Sequence, residues 1–188
     1  MSARTLPSLV LMTDDDRLPD PLAAALALPR GSMVVARSRN SQRLNELSRA
    51  LLKLARRRGI GVLIAGDPLL AARLGADGIH LAESRMGEIA HWRARFSGMM
   101  ITTSAHSFHA LSSARCVPVD AIFLSPIFAT KSHSQRVALT PLRANLIARA
   151  AGKPVYALGG IDARNAQKLA PDIYAGIAAI GALAPDQT

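Results

Sequence analysis

Cysteine is almost missing from this chain. Cys116 stands alone, so neither an internal disulfide nor a cysteine-built zinc cluster can form, and a reducing cytoplasm is the expected setting. Aromatic residues supply only 4% of the sequence, which leaves an aliphatic core of Ala, Leu, Ile and Val. Long apolar runs are missing too. Nowhere does a run of about 18 uncharged apolar residues occur, so no membrane span is expected. The N-terminus carries only Arg4 before a short apolar run that reaches Asp14, Asp15 and Asp16, a poor signal peptide. Acidic residues are scarce: 13 Asp and Glu against 23 Lys and Arg give a net charge of +10. That excess suits either nucleic acid or an anionic small molecule. Many of the cations fall in helical patterns, such as Arg43, Arg49, Lys53, Arg56, Arg57 and Arg58, where they read as solvated faces. No aromatic-rich strand, zinc finger or helix-turn-helix pattern accompanies them, so the small anion is the preferred partner and nucleic acid is set aside.

The 188 residues contain no long linker and no low-complexity segment, so residues 1–188 are read as one domain. Short apolar runs alternate with helical patterns. The runs are SLVLMT (8–13), MVVA (33–36), GVLIA (61–65), GIHL (78–81), MITT (100–103), AIFL (121–124), PVYAL (154–158) and IYAGI (173–177). Helices are expected over residues 42–58, 68–74, 86–96, 107–114, 141–150 and 163–169, the first on the spacing of Leu44, Leu47, Leu51 and Leu54. Strands alternating with helices imply βαβ units and a parallel sheet. Eight such runs predict an α/β fold of the (β/α)8 barrel type, minimal in size, with a doubly wound open sheet as the alternative. The eighth helix is expected to be a stub, IGALA, and the apolar stripe it leaves on the wall predicts cover by a second subunit or by the long first connection.

In a barrel, function sits where strands end. The strands here are apolar, yet their ends are polar. The stretch IFLSPIFATKSH (122–133) shows the contrast best: a buried strand running into Ser125, Thr130, Lys131, Ser132 and His133. ALGGID (157–162) is a strand entering a Gly159–Gly160 turn. Such a turn either brings backbone N–H groups against a phosphate or is simply tight. The small residues Gly181 and Ala182 after the last strand favour phosphate, because barrels often hold one on the loops after strands seven and eight. On that reading Gly160→Val is expected to abolish phosphate binding and leave the fold intact. ARSRN (36–40) sets Arg37 and Arg39 two residues apart, on one side if the chain stays extended, where they can clamp an anion such as pyrophosphate or stand as two solvated arginines. Lys131 can join them.

LVLMTD (9–14), GADGIHLAE (75–83), TSAHS (103–107), VDAIFLSPIFATKSH (119–133) and PVYALGGIDARN (154–165) together resemble the thiamine-phosphate synthase/TenI family, in order over nearly the whole chain. The resemblance implies a (β/α)8 fold and the joining of hydroxymethylpyrimidine pyrophosphate to a thiazole phosphate, with Mg²⁺ and cations helping pyrophosphate to leave. It implies small phosphorylated thiazole and pyrimidine partners and, with the uncovered wall, a homo-oligomer. Arg37 and Arg39 fall on the family's second-strand cations, Asp67 on a metal-ligand aspartate, and Ser104 on the serine near the leaving group. Thr130 and Lys131 resemble the thiazole-phosphate threonine and the pyrophosphate lysine, and Gly159 and Gly160 match the phosphate turn.

The chain also departs from the family's pattern. Gly66 stands where Asn precedes the metal aspartate, Arg85 where the second metal aspartate is expected, and Val35 where a glutamine reads the pyrimidine. Arg85 is a candidate to replace part of the metal's charge. The TenI branch moves a thiazole proton with a histidine at a position that is Pro126 here, which leaves His133 and Glu83 as candidate proton carriers. His80 reads as buried or facing a helix, and His106 as structural or a loop partner of Ser104. Three functions stay open: a transferase of the synthase type, a TenI-like tautomerase, and a phosphate-ligand binder without catalysis.

Overall fold

The protein's structure, a computed structural model, describes residues 5–129 and 138–183. Its centre is a closed parallel barrel. The strands are β1 (Leu9–Met12), β2 (Met33–Ala36), β3 (Gly61–Ala65), β4 (Gly78–Leu81), β5 (Met100–Ala105), β6 (Ala121–Leu124), β7 (Val155–Leu158) and β8 (Gly176–Ala179). Each pairs with its neighbour in chain order, and β8 pairs back on β1 through Leu9 with Ile177 and Leu11 with Ala179. The fold is therefore the (β/α)8 barrel expected from the sequence.

Strand alternation explains the unbroken apolar runs. Val10, Met12, Met33, Val35, Leu63, Phe123 and Tyr156 point inward and fill the barrel. Leu11, Val34, Ile64, Ile79, Ile101 and Ile122 point outward into the layer beneath the helices. Both faces are buried, so both must be apolar. Around the barrel lie α1 (Pro21–Ala27), α2 (Ser41–Arg58), α3 (Pro68–Leu74), α4 (Ile89–Arg95), α5 (Phe108–Arg115) and α6 (Pro141–Arg149). Asp20, Asn40, Asp67 and Ser107 cap the N-termini of α1, α2, α3 and α5 with their side chains. Gly59 and Gly75 end α2 and α3 in the left-handed conformation. No helix among the described residues is long and apolar enough to cross a membrane.

Four elements differ from expectation, the first being the helix expected over residues 86–96, which is a 3-10 turn, Glu83–Glu88, followed by α4. The last strand begins at Gly176 rather than Ile173. The chain passes so close to β1 there that a Cβ on Gly176 would stand 2.2 Å from the Ser8 carbonyl. The helix expected over residues 163–169 is only a 3-10 turn, Ala166–Lys168. Asp162 accepts from the amides of Arg164 and Asn165, and Asn165 accepts from the Asp162 amide, so local side-chain bonds compete with the helix. The first connection holds α1, which the sequence reading left unassigned. The expected stub after β8 is the 3-10 turn Gly181–Leu183.

Candidate active site

At the carboxyl end of the barrel lies a cavity of about 360 Å³. Met12, Ala65, Leu158 and Ile180 form apolar walls, and Arg17, Arg37 and Arg85 bring guanidinium groups to it. Asp14, just past β1, organises two of these. Its carboxylate accepts from Arg17 Nε at 3.1 Å and Nη2 at 2.8 Å, and from Arg37 Nη1 at 2.9 Å. Arg17 foremost holds the Asp14 carboxyl far below the usual carboxylate range. The backbone is fixed as well: Thr13 Oγ1 donates to the Arg37 carbonyl at 2.8 Å and accepts from the Arg37 amide at 2.7 Å.

Arg39 goes elsewhere. It is exposed and pairs with Asp16, and its amide donates to Asp15 at 2.9 Å. It does not line the cavity, so the expected clamp of Arg37 with Arg39 is not formed. The physical reason is that β2 ends at Ala36, and same-side spacing does not hold in the turn beyond it. Arg17, three residues after Asp14, takes the place beside Arg37.

The floor is a buried polar chain. His80 on β4 faces Thr102 Oγ1 with Nδ1 at 2.9 Å and Ser104 Oγ with Nε2 at 3.0 Å. The Thr102 hydroxyl donates to the Ile79 carbonyl at 3.3 Å. That arrangement puts the ring proton on Nδ1 and lets Ser104 donate to Nε2. Burial first, then the charges of Arg37 and His106, push the His80 pKa down to about 3, so the ring is neutral. Phe123 meets it edge-on, with ring centroids 5.0 Å apart. Ser104 and His80 both line the cavity, as do His106, Ser125 and Pro126. His106 Nδ1 lies 2.9 Å from the Ser125 carbonyl, which can only accept, so that nitrogen carries the proton and Nε2 is the basic one. Val35 is buried in the barrel interior and takes no part in the lining.

The residues at the β3 and β4 ends do not fit a protein-built Mg²⁺ site. Asp67 Oδ1 accepts from the Leu70 amide at 2.8 Å as the N-cap of α3. Arg85 donates to the carbonyl of the adjacent Gly66, so a cation already stands against this loop. Glu83 accepts from the His106 amide at 2.7 Å and does not line the cavity. Among the described residues there is no group of three His, Cys, Asp or Glu able to hold a metal.

A second space of about 540 Å³ adjoins the first and shares Arg17, Leu158, Gly159 and Ile180 with it. Gly160, Gly181 and Ala182 also line it. Gly159 has φ +98° and Gly160 φ +65°. A Cβ on Gly160 would lie 2.7 Å from the Ala129 carbonyl, which corrects the expectation that Gly160→Val leaves the fold intact. Of the remaining candidates, Thr130, Lys131 and His133 lie outside the described residues. Sequence reasoning missed Arg17; it read His80 as buried, which it is, but did not bring it or His106 to the cavity. The legible signal for Arg17 was its i, i+3 spacing from Asp14.

Against known proteins, the family profile described as thiamine monophosphate synthase matches residues 9–183. This chain belongs to that family. It is 32% identical over 146 residues to a putative thiamine-phosphate synthase from Geobacter sulfurreducens, covering 76% of this chain and 68% of that protein. It is 34% identical over 120 residues to the thiamine-phosphate synthase of Thermus thermophilus, covering 63% of this chain and 57% of that one. The solved thiamine phosphate pyrophosphorylase from Pyrococcus furiosus has the same fold, with a TM-score of 0.80 at 21% identity over 97% of this chain and 90% of that chain.

Proposed function

We propose that this family member is a thiamine-phosphate synthase, joining hydroxymethylpyrimidine pyrophosphate to a thiazole phosphate and releasing pyrophosphate. The observation that carries this reading is the pair of adjoining cavities. One gathers guanidinium groups, the other is lined by the Gly159–Gly160 turn and Gly181, and Arg17 borders both. A reaction between a pyrophosphate ester and a phosphate ester needs two such places, side by side.

In the proposed reaction the bond from the pyrimidine's methylene carbon to the pyrophosphate oxygen breaks, and its electron pair leaves with pyrophosphate. The lone pair of the thiazole nitrogen then closes the new C–N bond. Charge develops on the leaving oxygens, so fixed donors there do most of the work. Arg37 and Arg17, braced by Asp14, supply them. Ser104, held by His80, meets the pyrimidine end of the substrate at the cavity floor. The Gly159–Gly160 turn and Gly181 hold the thiazole phosphate. Thr130 and Lys131 are proposed to join from the loop after β6. Arg39 is left as an outer cation that meets the incoming anion. The chain is proposed to act as one barrel domain in a cytoplasmic homo-oligomer.

One observation favours a second reading, a thiazole tautomerase. His106 borders the cavity with its tautomer fixed and Nε2 basic, a proton carrier in place of the histidine that Pro126 replaces. The test is a turnover assay with both substrates, run with Mg²⁺ and with EDTA. Thiamine phosphate is the expected product. Tight binding of the thiazole phosphate without product would overturn the synthase reading, and proton exchange into the thiazole would then establish the tautomerase.

A further inference from the structure

Arg85 is held in place by three side-chain hydrogen bonds. It sits in the 3-10 turn Glu83–Glu88 that follows β4. Its Nε and Nη2 grip both oxygens of Glu88, at 2.7 and 2.6 Å, and Nη1 donates to the Gly66 carbonyl. Glu88 is itself braced by Trp92 Nε1 at 3.0 Å. The guanidinium plane is therefore set before any ligand arrives. These three contacts use only part of its N–H donors, so others remain for a ligand. Arg85 borders the same cavity as Arg37 and Arg17, and among the described residues no carboxylate side chain lines that cavity. The three guanidinium groups come from the ends of β1, β2 and β4, so they approach the space from different sides.

Resting on the pyrophosphate reading above, we propose that Arg85, with Arg37 and Arg17, binds the leaving pyrophosphate directly, so that this chain recognises that anion without a divalent cation. A metal between Asp67 and the anion would stand against the Arg85 charge at the Gly66–Asp67 loop. The guanidinium instead supplies positive charge and directional donors at once, in the forked geometry that suits phosphate oxygens. No proton is transferred. The ester C–O bond breaks, its electron pair goes to the pyrophosphate oxygen, and arginine hydrogen bonds stabilise the charge that forms there.

The test is calorimetric binding of inorganic pyrophosphate to the purified protein, in EDTA and then in Mg²⁺. Wild-type protein is expected to bind with nearly equal affinity in both. Arg85→Gln is expected to weaken binding in EDTA by about tenfold or more, the factor carried by hydrogen bonds between charged groups. Arg85→Asp is expected to make binding depend on Mg²⁺, because it sets a second carboxylate near Asp67. Melting curves of both variants separate lost binding from lost folding, and Arg37→Gln serves as a second probe, expected to weaken binding in EDTA as well. Binding by the wild type only with Mg²⁺, or unchanged binding by Arg85→Gln, overturns the proposal. The turnover assay separates the two failures. Thiamine phosphate formed strictly with Mg²⁺ removes the metal-free recognition and leaves the synthase reading standing, whereas the absence of both product and pyrophosphate binding removes both.

Discussion

Asp14 is a carboxylate whose task is to hold two arginines in place. It keeps Arg17 and Arg37 at the cavity with bonds of 2.8 to 3.1 Å. Asp14→Ala frees both long side chains, and the site then loses preorganised charge. Pyrophosphate affinity is expected to fall about tenfold, as for other lost charge-assisted pairs, and titration calorimetry reads it. Arg39 should behave differently. Its pairing with Asp16 is between exposed groups, so Arg39→Ala is expected to change the melting temperature little. His80 gives a pH-dependent prediction. Its pKa is about 3 when folded, against 6.5 as the ordinary value. Between those values the unfolded chain binds more protons, so stability from the neutral ring is complete above pH 6.5 and is lost as pH falls toward 3. Thermal melts at pH 7 and pH 5 should show a drop for the wild type that is smaller for His80→Gln. An equal drop in both would place the effect elsewhere.

At the scale of elements, the turn after β7 ties chemistry to packing. Gly159 and Gly160 take positive φ and lie against the backbone after β6, with the Gly159 Cβ position 2.9 Å from Pro126 Cα. Gly160→Val is therefore expected to lower stability by about 2 kcal/mol or more through clash and backbone strain, visible as a lower melting temperature. Gly181 is the cleaner probe of the same space. Its nearest atom to an added Cβ is the Arg17 carbonyl at 3.8 Å. Gly181→Val should keep the melting temperature and weaken binding of a thiazole phosphate. If binding is unchanged, the phosphate does not lie in that groove. The 3-10 turn after the glycines shows the limit of periodicity: residues 163–169 read as a helix, but Asp162 and Asn165 spend their side chains on local amides.

At the scale of the whole molecule, barrel closure is what turns separate strand ends into one site. Asp14 and Arg17 follow β1, Arg37 follows β2, Arg85 follows β4, and Ser104 is on β5, yet four of these five groups line one cavity and Asp14 braces two of them. The barrel's outer wall carries exposed apolar residues, among them Leu142 and Leu146 one turn apart on α6. They suit the proposed homo-oligomer. Light scattering should then give a mass that is a multiple of 19.9 kDa, and Leu146→Glu should lower it. A mass of one chain for the wild type would remove the oligomer from the reading.

The sequence by itself determined a parallel sheet of eight strands alternating with helices, and pairing of β8 with β1 then chose the closed barrel over the open sheet. Unbroken aliphatic runs such as MVVA and AIFL can only be strands buried on both faces, and helical patterns between them force parallel pairing. It also determined that polar groups gather at the carboxyl ends, and it named Arg37, Ser104 and the Gly159–Gly160 turn, which border the two spaces. What only the tertiary structure decided is the direction of individual side chains beyond the strands. Alternation stops where a strand stops, so Arg37 turned inward and Arg39 outward could not be read from spacing. His80 looked like a core residue because the groups that make it a floor, Thr102 and Ser104, come from a neighbouring strand more than twenty residues away. Arg85 read as a cation at a metal position, a candidate for part of the metal's charge, but only the Glu88 and Gly66 contacts set its fork in place beside the cavity. Such contacts join residues that are near only after the barrel closes, and no local pattern encodes them.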